Sequence, residues 1–280
     1  MADLEETVAR ALAEDLGAGD VTSEATVPEG VRGRARIVQK QPGVVFGLGT
    51  VAETMRQCGV EDVDNLVVEG QWREEVPAEV ALASGPADAL LAAERTALNF
   101  LGHLSGIATL TARFVEAVTG TGARILDTRK TTPGLRALEK AAVAAGGGQN
   151  HRMGLYDAIL IKENHIALAG SVAKAIHAAR TALPEMPVEI ECRNVDEAAY
   201  ALGAGASRLL LDNMAPGELR EAVALRDAER GVDGPPLEAS GGVNLDTVRE
   251  IAETGVEYIS IGALTHSAPT LDFSMLIEPA

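Results

Sequence analysis

The chain has 280 residues, of which 46% are hydrophobic and 23% charged, and its formal net charge at pH 7 is −17. This composition is ordinary for a globular protein, and the acidic balance argues against nucleic acid and anionic membranes as partners, because the long-range field would repel both. Cys58 and Cys192 stand far apart without a CxxC motif, which argues against a structural zinc site or a disulfide framework.

The N-terminal segment is acidic and amphipathic, whereas a signal peptide has a basic first region and an apolar core. No apolar run approaches the roughly 20 residues that a membrane-spanning helix needs. We therefore expect a cytoplasmic protein.

Residues 1–97 predict an α+β domain with antiparallel strands. Residues 4–16 have the spacing of a short helix, and the stretch from residue 32 predicts a strand, a Pro-Gly turn and a further strand or helix start. Helical spacing returns before Gly59, and residues 63–85 predict strands joined by a turn. The C-terminal segment 267–280 is predicted to be a strand that returns to this domain.

The pattern from Ala87 to Val118 is helical, because apolar residues recur at three- and four-residue steps. Gly102 and Gly106 interrupt this pattern, and glycine weakens a helix interior. We therefore predict two helices with a break at these glycines.

Six short apolar runs follow, and helical stretches separate most of them. Strand and helix alternation at this spacing is typical of βαβ units and a parallel sheet. Six strands suit an incomplete parallel α/β barrel, resembling a TIM barrel, in residues 98–266. The predicted strands lie in residues 123–128, 157–163, 187–192, 207–213, 236–242 and 257–263.

Charged residues follow these strands, and in α/β barrels the chemistry gathers at the carboxyl ends of the strands. Lys162 and Glu191 each follow an apolar strand directly, so both are expected at the mouth of the barrel. A single charge after a strand is usually a solvated loop residue. Charges of both signs at one mouth favour a functional site.

Glycine-rich turns follow the last two predicted strands, at Ser240-Gly241-Gly242 and at Gly262. The last two strands of many barrels form a phosphate site from backbone N–H groups, and glycine lets the backbone approach the oxygens. We therefore predict a phosphate site here, with the Ser240 hydroxyl and the nearby His266 as further donors.

Residues 145–157 contain three successive glycines and then Gln-Asn-His-Arg, which excludes a packed helix. We predict a mobile loop that carries His151 and Arg152 over the site. The wider window 124–165 has seven Lys and Arg residues against four acids, although the chain as a whole is acidic. A locally positive pocket for anionic small molecules is the expected result.

Long motifs in the chain resemble the quinolinate phosphoribosyltransferase family, and the resemblance covers nearly the whole chain. The motifs are EDLGAGDVTSEAT, ERTALNFLGHLSGIAT, DTRKTTPGLR, GGGQNHRMGLYDAILIKENH, VEIEC, LLLDNM, EASGG and YISIGALTHSAP. The resemblance implies an N-terminal α/β sandwich domain (1–97, joined by 267–280) and a barrel domain (98–266). It also implies a homodimer, or a higher assembly of dimers, with the sites at the subunit interface.

The implied reaction joins quinolinate and phosphoribosyl pyrophosphate, with Mg²⁺, to give nicotinate mononucleotide, pyrophosphate and CO2 in NAD biosynthesis. Quinolinate has two adjacent carboxylates, and arginine forks suit planar carboxylates. The resemblance implies that quinolinate is bound by Arg95 from the partner subunit together with Thr128, Arg129, His151, Arg152 and Lys162.

The resemblance assigns a second set of residues to phosphoribosyl pyrophosphate: Lys130, Glu191, Asp212, Ser240, Gly241, Gly242, Gly262, Ala263 and His266. Lys130, Lys162, Glu191 and Asp212 are the implied catalytic residues. Glu191 and Asp212 are also the implied, weak Mg²⁺ ligands, because Mg²⁺ prefers oxygen and is bound mainly through pyrophosphate and water.

Three alternatives stay open at this point. One is a related phosphoribosyltransferase that uses nicotinate or belongs to a molybdenum-transport system, which should lack part of the cation cluster. Another is a Schiff-base aldolase with Lys162 as the nucleophile. The third is a metabolite sensor on the same scaffold, against which the intact set of acids and bases argues.

Overall fold

The computed structural model describes the backbone of residues 2–280 and the side chains of residues 4–280. Helices are numbered in chain order: α1 Ala2–Leu16, α2 Val21–Thr26, α3 Leu48–Gln57, α4 Ala87–Ala117, α5 Arg136–Ala145, α6 Glu163–Ala169, α7 Val172–Ala182, α8 Val195–Gly203, α9 Pro216–Arg230, α10 Val248–Ala252 and α11 Ala263–His266. Within the described residues, no helix is both long and apolar enough to cross a membrane.

Strands are numbered in the same way: β1 Arg32–Gln39, β2 Gly43–Val44, β3 Asp62–Asn65, β4 Trp72–Arg73, β5 Ala78–Pro86, β6 Arg124–Leu126, β7 Ile159–Ile161, β8 Val188–Cys192, β9 Arg208–Asp212, β10 Leu237–Ser240, β11 Tyr258–Ser260 and β12 Phe273–Pro279. The described chain divides into two compact units. The first contains the residues up to Ala112, Thr132–Gly147 and Ser267–Ala280, and the second contains Arg113–Thr131 and Gly148–His266.

The first unit contains a four-stranded antiparallel sheet in the order β12-β1-β5-β3. Along β1 buried and more exposed residues alternate, as expected for a strand with one face on a core. Ala35 and Ile37 lie on the buried face, and they share a core with Val51 of α3 and Leu101 of α4. The pairing of β12 with β1 confirms the predicted return of the C-terminal strand.

The predicted break in the long helix is wrong, because α4 is continuous from Ala87 to Ala117. Its two glycines serve close packing instead. A Cβ at Gly102 would lie 2.9 Å from the carbonyl oxygen of Leu271, and a Cβ at Gly106 would overlap the carbonyl group of Pro269. The segment before β12 therefore crosses α4 at a distance that only glycine permits.

The close crossing predicts the stability of a Gly106→Ala variant. Overpacking costs about 1–3 kcal/mol, and the rigid Pro269 backbone cannot move aside as a side chain can, so the loss should exceed the helix-propensity gain of up to about 1 kcal/mol. Gly49→Ala is the matched control, since nothing lies within 4 Å of a Cβ there. Urea unfolding should show a lower free energy of unfolding for Gly106→Ala and an unchanged or higher one for Gly49→Ala. Equal effects would contradict the packing role.

The second unit contains a six-stranded parallel sheet in the order β6-β11-β10-β9-β8-β7. These are the six predicted strands, and the fold class of an incomplete, TIM-like α/β barrel is confirmed. Helices such as α7, α8 and α9 lie between successive strands in the chain, as βαβ units require. All six strands point the same way, so their carboxyl ends lie at one edge of the sheet.

The backbone of the glycine-rich segment pairs with the sheet, while the predicted mobility of this loop stays a prediction. Gln149 forms a parallel bridge with Leu126 and so extends the sheet beyond β6. Its N–H donates to the carbonyl of Ile125 at 2.8 Å, and its carbonyl accepts the N–H of Asp127 at 3.2 Å. The backbone leading to His151 is therefore fixed by the sheet.

Candidate active site

One pocket of about 210 Å³ opens at the carboxyl ends of the strands in the second unit. The sequence-predicted residues that line it are Thr128, Arg129, Lys130, His151, Arg152, Lys162, Glu191, Asp212 and Ser240. They come from five strand ends and from the segment that extends the sheet. Residues as far apart in the chain as Thr128 and Ser240 are thus brought together by the parallel order of the strands.

The segment after β6 places Arg129 and Lys130 at the pocket. The hydroxyl of Thr128 accepts the N–H of Lys130 at 3.1 Å. The hydroxyl of Thr265, at 2% exposure, donates to the carbonyl of Lys130 at 2.8 Å. The backbone N–H and the carbonyl of Lys130 are thus both hydrogen-bonded, which fixes the backbone at this residue. Thr265 was not predicted from the sequence, because its role depends on a contact with a distant strand end.

Asp127 organises the residues on the other side of Arg129. This carboxylate is fully buried, and it accepts the backbone N–H of His151 at 2.8 Å and the side-chain amide of Asn150 at 2.6 Å. The acid therefore holds His151 and Arg152 beside the strand end that carries Arg129. It is a functional position that sequence reasoning missed, although its place directly after β6 was a usable signal.

Arg152 and Arg129 form the cationic part of the pocket. Burial lowers the pKa of the Arg152 guanidinium, and the positive charge of Arg129 lowers it further. The Arg152 side chain is anchored by a 3.2 Å hydrogen bond from Nη1 to the carbonyl of Ala158. Two guanidinium groups that repel each other in a pocket are a natural site for a dianion, which relieves the repulsion.

Lys162 and Glu191 meet at the ends of the neighbouring strands β7 and β8. The ammonium group of Lys162 forms a close ion pair with Oε2 of Glu191. The lysine side chain is half exposed, while that of Glu191 is largely buried. The pair therefore supplies a positive and a negative group on one wall of the pocket.

Asp212, Ser240 and Gly241 lie at the ends of β9 and β10. The carboxylate of Asp212 accepts the side-chain amide of Asn213 at 2.7 Å, and the N–H of Asn213 donates to the carbonyl of Ser240 at 2.8 Å. Gly241 and Gly242 have φ angles of +100° and +62°. A side chain at Gly241 would overlap Asn213, so glycine is required for this turn.

Five other predicted phosphate residues belong to the same unit but do not line the pocket itself: Gly241, Gly242, Gly262, Ala263 and His266. A Cβ at Gly262 would lie 3.1 Å from Nε2 of His266 and 3.1 Å from Cδ of Lys130. The turn after β11 therefore holds His266 near Lys130.

A cluster of buried charges extends inward from the pocket wall, where Glu238 lines the pocket, and sequence reasoning did not find it. The Arg208 guanidinium contacts the carboxylates of Glu189 and Glu238. Burial, and then the charge of Glu189, raise the pKa of the Glu238 carboxyl to about 7. Burial also opposes ionisation of Glu189, but the contact with His151 and the charge of Arg208 outweigh it, and the pKa of Glu189 is lowered.

His151 connects this cluster with the pocket. Its Nε2 lies 3.0 Å from Oε2 of Glu189 and 3.6 Å from Oε2 of Glu238. The ligand atoms of these three side chains lie within 4.8 Å of one another, a spacing suited to a metal ion. The Arg208 guanidinium already pairs with both carboxylates, so the cluster is better described as a buried ion network.

Arg95 lies on α4 in the first unit and is not among the residues that line this pocket. Its side chain is 65% exposed, and its guanidinium lies 3.8 Å from Glu94. The expected role of Arg95 in a partner subunit's site stays a prediction.

Two family models match the chain in succession. The model of the N-terminal domain of quinolinate phosphoribosyl transferase matches residues 20–105, and the model of its C-terminal domain matches residues 107–276. The chain belongs to this family. The family resemblance that the sequence motifs indicated is thereby confirmed.

Full-length relatives agree with this assignment. The chain is 43% identical over 275 residues to nicotinate-nucleotide pyrophosphorylase [carboxylating] of Mycobacterium leprae, with 96% of this chain and 95% of the relative covered. It is also 43% identical over 267 residues to the probable nicotinate-nucleotide pyrophosphorylase [carboxylating] of Bacillus subtilis, with 94% and 89% covered.

A solved structure has the same fold. The nicotinate-nucleotide pyrophosphorylase of Francisella tularensis superposes with a TM-score of 0.93 at 35% identity, covering 99% of this chain and 96% of the other. A human nicotinic acid phosphoribosyltransferase superposes with a TM-score of 0.63 at 12% identity, covering 99% and 74%, which shows a shared fold and no more.

Proposed function

We propose that the protein transfers the phosphoribosyl group of phosphoribosyl pyrophosphate to quinolinate, with decarboxylation, and so forms nicotinate mononucleotide, pyrophosphate and CO2 in NAD biosynthesis. Membership of the family supports this function. Within the site, one observation supports the function most directly. Arg129 and Arg152, whose charges affect each other, line the same pocket as the acids Glu191 and Asp212.

The cationic side of the pocket is assigned to quinolinate. Its two carboxylates match the two guanidinium groups and the ammonium group of Lys162, each of which can donate to a carboxylate oxygen. Recognition of both carboxylates also excludes nicotinate, because nicotinate would leave one of the cations without a partner. Thr128 lines the same pocket.

The acidic side is assigned to the phosphoribosyl donor. Glu191 and Asp212 accept hydrogen bonds from the ribose hydroxyls, and Lys130 balances the charge of the leaving pyrophosphate. The turns at Ser240-Gly241-Gly242 and Gly262-Ala263, together with His266, are assigned to the 5′-phosphate. Positive φ angles at Gly241 and Gly242 support this, since such turns expose backbone N–H groups to an anion.

Displacement occurs at the anomeric carbon of the donor. The ring nitrogen of quinolinate forms the new C–N bond as the bond to pyrophosphate breaks, through an oxocarbenium-like transition state. The protein contributes by orienting the ring nitrogen and by stabilising the leaving group. The C2 carboxylate then leaves as CO2, because the new pyridinium stabilises the carbanion, which takes up a proton.

Mg²⁺ is proposed as the metal that accompanies the donor. Glu191 and Asp212 offer carboxylate oxygens at the ends of neighbouring strands, and this donor set fits Mg²⁺. When bound, the ion would neutralise charge on the pyrophosphate. We also propose a homodimer, or a higher assembly of dimers, in which Arg95 reaches the site of the partner subunit.

The structure weakens the aldolase alternative. A Schiff base needs a lysine amine that can attack a carbonyl, whereas the amine of Lys162 is engaged in a close ion pair with Glu191. Borohydride treatment with carbonyl substrates is therefore expected to leave Lys162 unmodified, and a trapped adduct at that lysine would revive the alternative.

The proposed function is tested by incubating the protein with quinolinate, phosphoribosyl pyrophosphate and Mg²⁺. We expect equal amounts of nicotinate mononucleotide and CO2, and almost no product when nicotinate replaces quinolinate. A preference for nicotinate would support the related phosphoribosyltransferase instead. Tight binding of both substrates without turnover would support the sensor.

A further inference from the structure

Arg208 stands at the start of β9, and its guanidinium is held from several sides. Nε lies 3.3 Å from Oε1 of Glu189, and Nη2 forms a close ion pair with Oε2 of Glu238. The guanidinium carbon also lies 4.0 Å from the ring centroid of Tyr258, which is a cation–π distance. The arginine thus has a fixed position between the two acids.

Both acids need such a partner. The side chain of Glu238 has no exposed surface, and that of Glu189 is 8% exposed. A carboxylate removed from water is stable only when hydrogen bonds or an opposite charge replace the lost solvation. Arg208 provides one positive charge for the two groups, and the raised pKa of Glu238 shows that this acid tends to keep its proton.

The geometry around His151 defines which ring nitrogen carries its proton. Nδ1 accepts the backbone N–H of Arg152 at 2.8 Å, and an accepting ring nitrogen carries no proton. The Glu189 carboxylate 3.0 Å from Nε2 stabilises a proton at that nitrogen. His151 therefore presents Nδ1 to the peptide of Arg152 and Nε2 to the buried acids, and so links the two.

We propose that Arg208 is a positioning residue for quinolinate: through Glu189 and Glu238 it keeps the His151 ring in the orientation in which Nδ1 accepts the Arg152 N–H, and so holds Arg152 at the pocket. This inference rests on the proposed function, since quinolinate is the ligand assigned to Arg152. Arg208 itself does not line the pocket. It acts only through the network.

The positive charge of Arg208 is what the buried Glu189 carboxylate contacts on the side away from His151. Without the arginine, this carboxylate keeps its burial but loses its positively charged partner, which is strongly unfavourable. The acid then shifts from its position, and the His151 ring loses the orientation in which Nδ1 accepts the N–H of Arg152.

The first test compares Arg208→Met with the wild type and with Arg220→Met. Arg220 is an exposed arginine of α9 in the same unit, so its loss removes an equal charge away from the site. We expect Arg208→Met to raise the KM for quinolinate by about tenfold or more, because one peptide hydrogen bond and the placement of Arg152 are lost. The KM for phosphoribosyl pyrophosphate should change by less than about threefold.

A second substitution that restores the charge balance of the Arg208→Met variant distinguishes a positioning role of Arg208 from simple structural support. Glu189→Gln removes the negative charge that Arg208→Met leaves over, while the amide oxygen can still accept from Nε2 of His151. The double variant Arg208→Met/Glu189→Gln is therefore expected to recover most of the wild-type KM for quinolinate. A purely structural role of Arg208 would make the double variant at least as impaired as the single one.

Nitrogen NMR of the wild type tests the inference even if Arg208→Met does not fold. The chain has five histidines, and a His151→Gln sample assigns the signals of His151. We expect the wild-type Nδ1 to have the signal of a ring nitrogen that accepts a hydrogen bond, and this signature to be lost in Arg208→Met.

The outcomes separate the two proposals. A wild type that makes no product from quinolinate contradicts the proposed function. An active wild type with a proton on Nδ1 of His151, or a folded Arg208→Met variant with an unchanged KM for quinolinate, contradicts the positioning role alone.

Discussion

Replacement of Arg129 by alanine is expected to raise the KM for quinolinate by two orders of magnitude while the KM for phosphoribosyl pyrophosphate stays within about threefold. An arginine that binds a carboxylate through charge-assisted hydrogen bonds contributes about 2–4 kcal/mol when its loss leaves the ligand's charge unpaired. This corresponds to about 30- to 700-fold in affinity.

Arg129→Ala should weaken quinolinate binding more than donor binding because Arg129 lies next to Arg152. The charge of Arg129 contributes to the lowered pKa of the Arg152 guanidinium, so the two groups share one electrostatic environment. Removing Arg129 leaves a single guanidinium to face two carboxylates. The donor side, with Glu191, Asp212 and the turn at Ser240, retains its hydrogen bonds.

Two variants of nearby residues serve as controls. Arg124→Ala removes the same charge from the exposed opposite end of β6, and its kinetic constants should resemble those of the wild type. Lys130→Ala alters the next residue after Arg129, and it should raise the KM for the phosphoribosyl donor more than that for quinolinate. Equal weakening of both substrates by Arg129→Ala would contradict the role assigned to Arg129.

The parallel sheet was predictable because each of its strands is a short apolar run followed by a turn or a helical pattern. The mouth of the barrel was predictable for the same reason. Once β7 and β8 were recognised, Lys162 and Glu191 had to lie side by side, as the ion pair between them shows. These inferences needed only local sequence and the rule that parallel strands end at one edge.

The features that the sequence did not predict have a common physical cause, which is contact between distant parts of the chain. Gly106 looks like a helix breaker in sequence, but its function is to admit the backbone of Pro269. Gln149 looks like part of a loose loop, but its backbone groups pair with the strand β6. Neither partner can be inferred from the neighbouring residues.

The buried network escaped prediction for a related reason. Arg208 and Glu238 each lie within a predicted strand, where a charged residue would ordinarily be assigned to a solvated face. Only the register of the sheet, which sets Glu189 opposite Arg208 and Glu238 opposite Leu210, brings the charges together in the interior. Sequence spacing within each strand carries no information about that register.

The complementation of two inactive variants tests whether the site is shared between subunits. Arg95→Ala and Glu191→Ala are each expected to lower kcat/KM by more than about 100-fold, since each removes a charged group assigned to substrate. In a heterodimer of the two variants, one site combines both defects and the other has neither if Arg95 is supplied by the partner. A heterodimer isolated with two different affinity tags should therefore have about half of the wild-type activity, because a two-fold symmetric dimer has two equivalent sites.

The matched control combines Glu191→Ala with Lys162→Ala. These two residues form an ion pair and line one pocket within a single unit of the chain, so each site of that heterodimer retains one defect and should stay inactive. Activity in the Arg95 and Glu191 heterodimer, and none in the control, requires that Arg95 act across the interface. If the first heterodimer is also inactive, Arg95 serves its own chain, and the exposed position of its guanidinium on α4 must have another explanation.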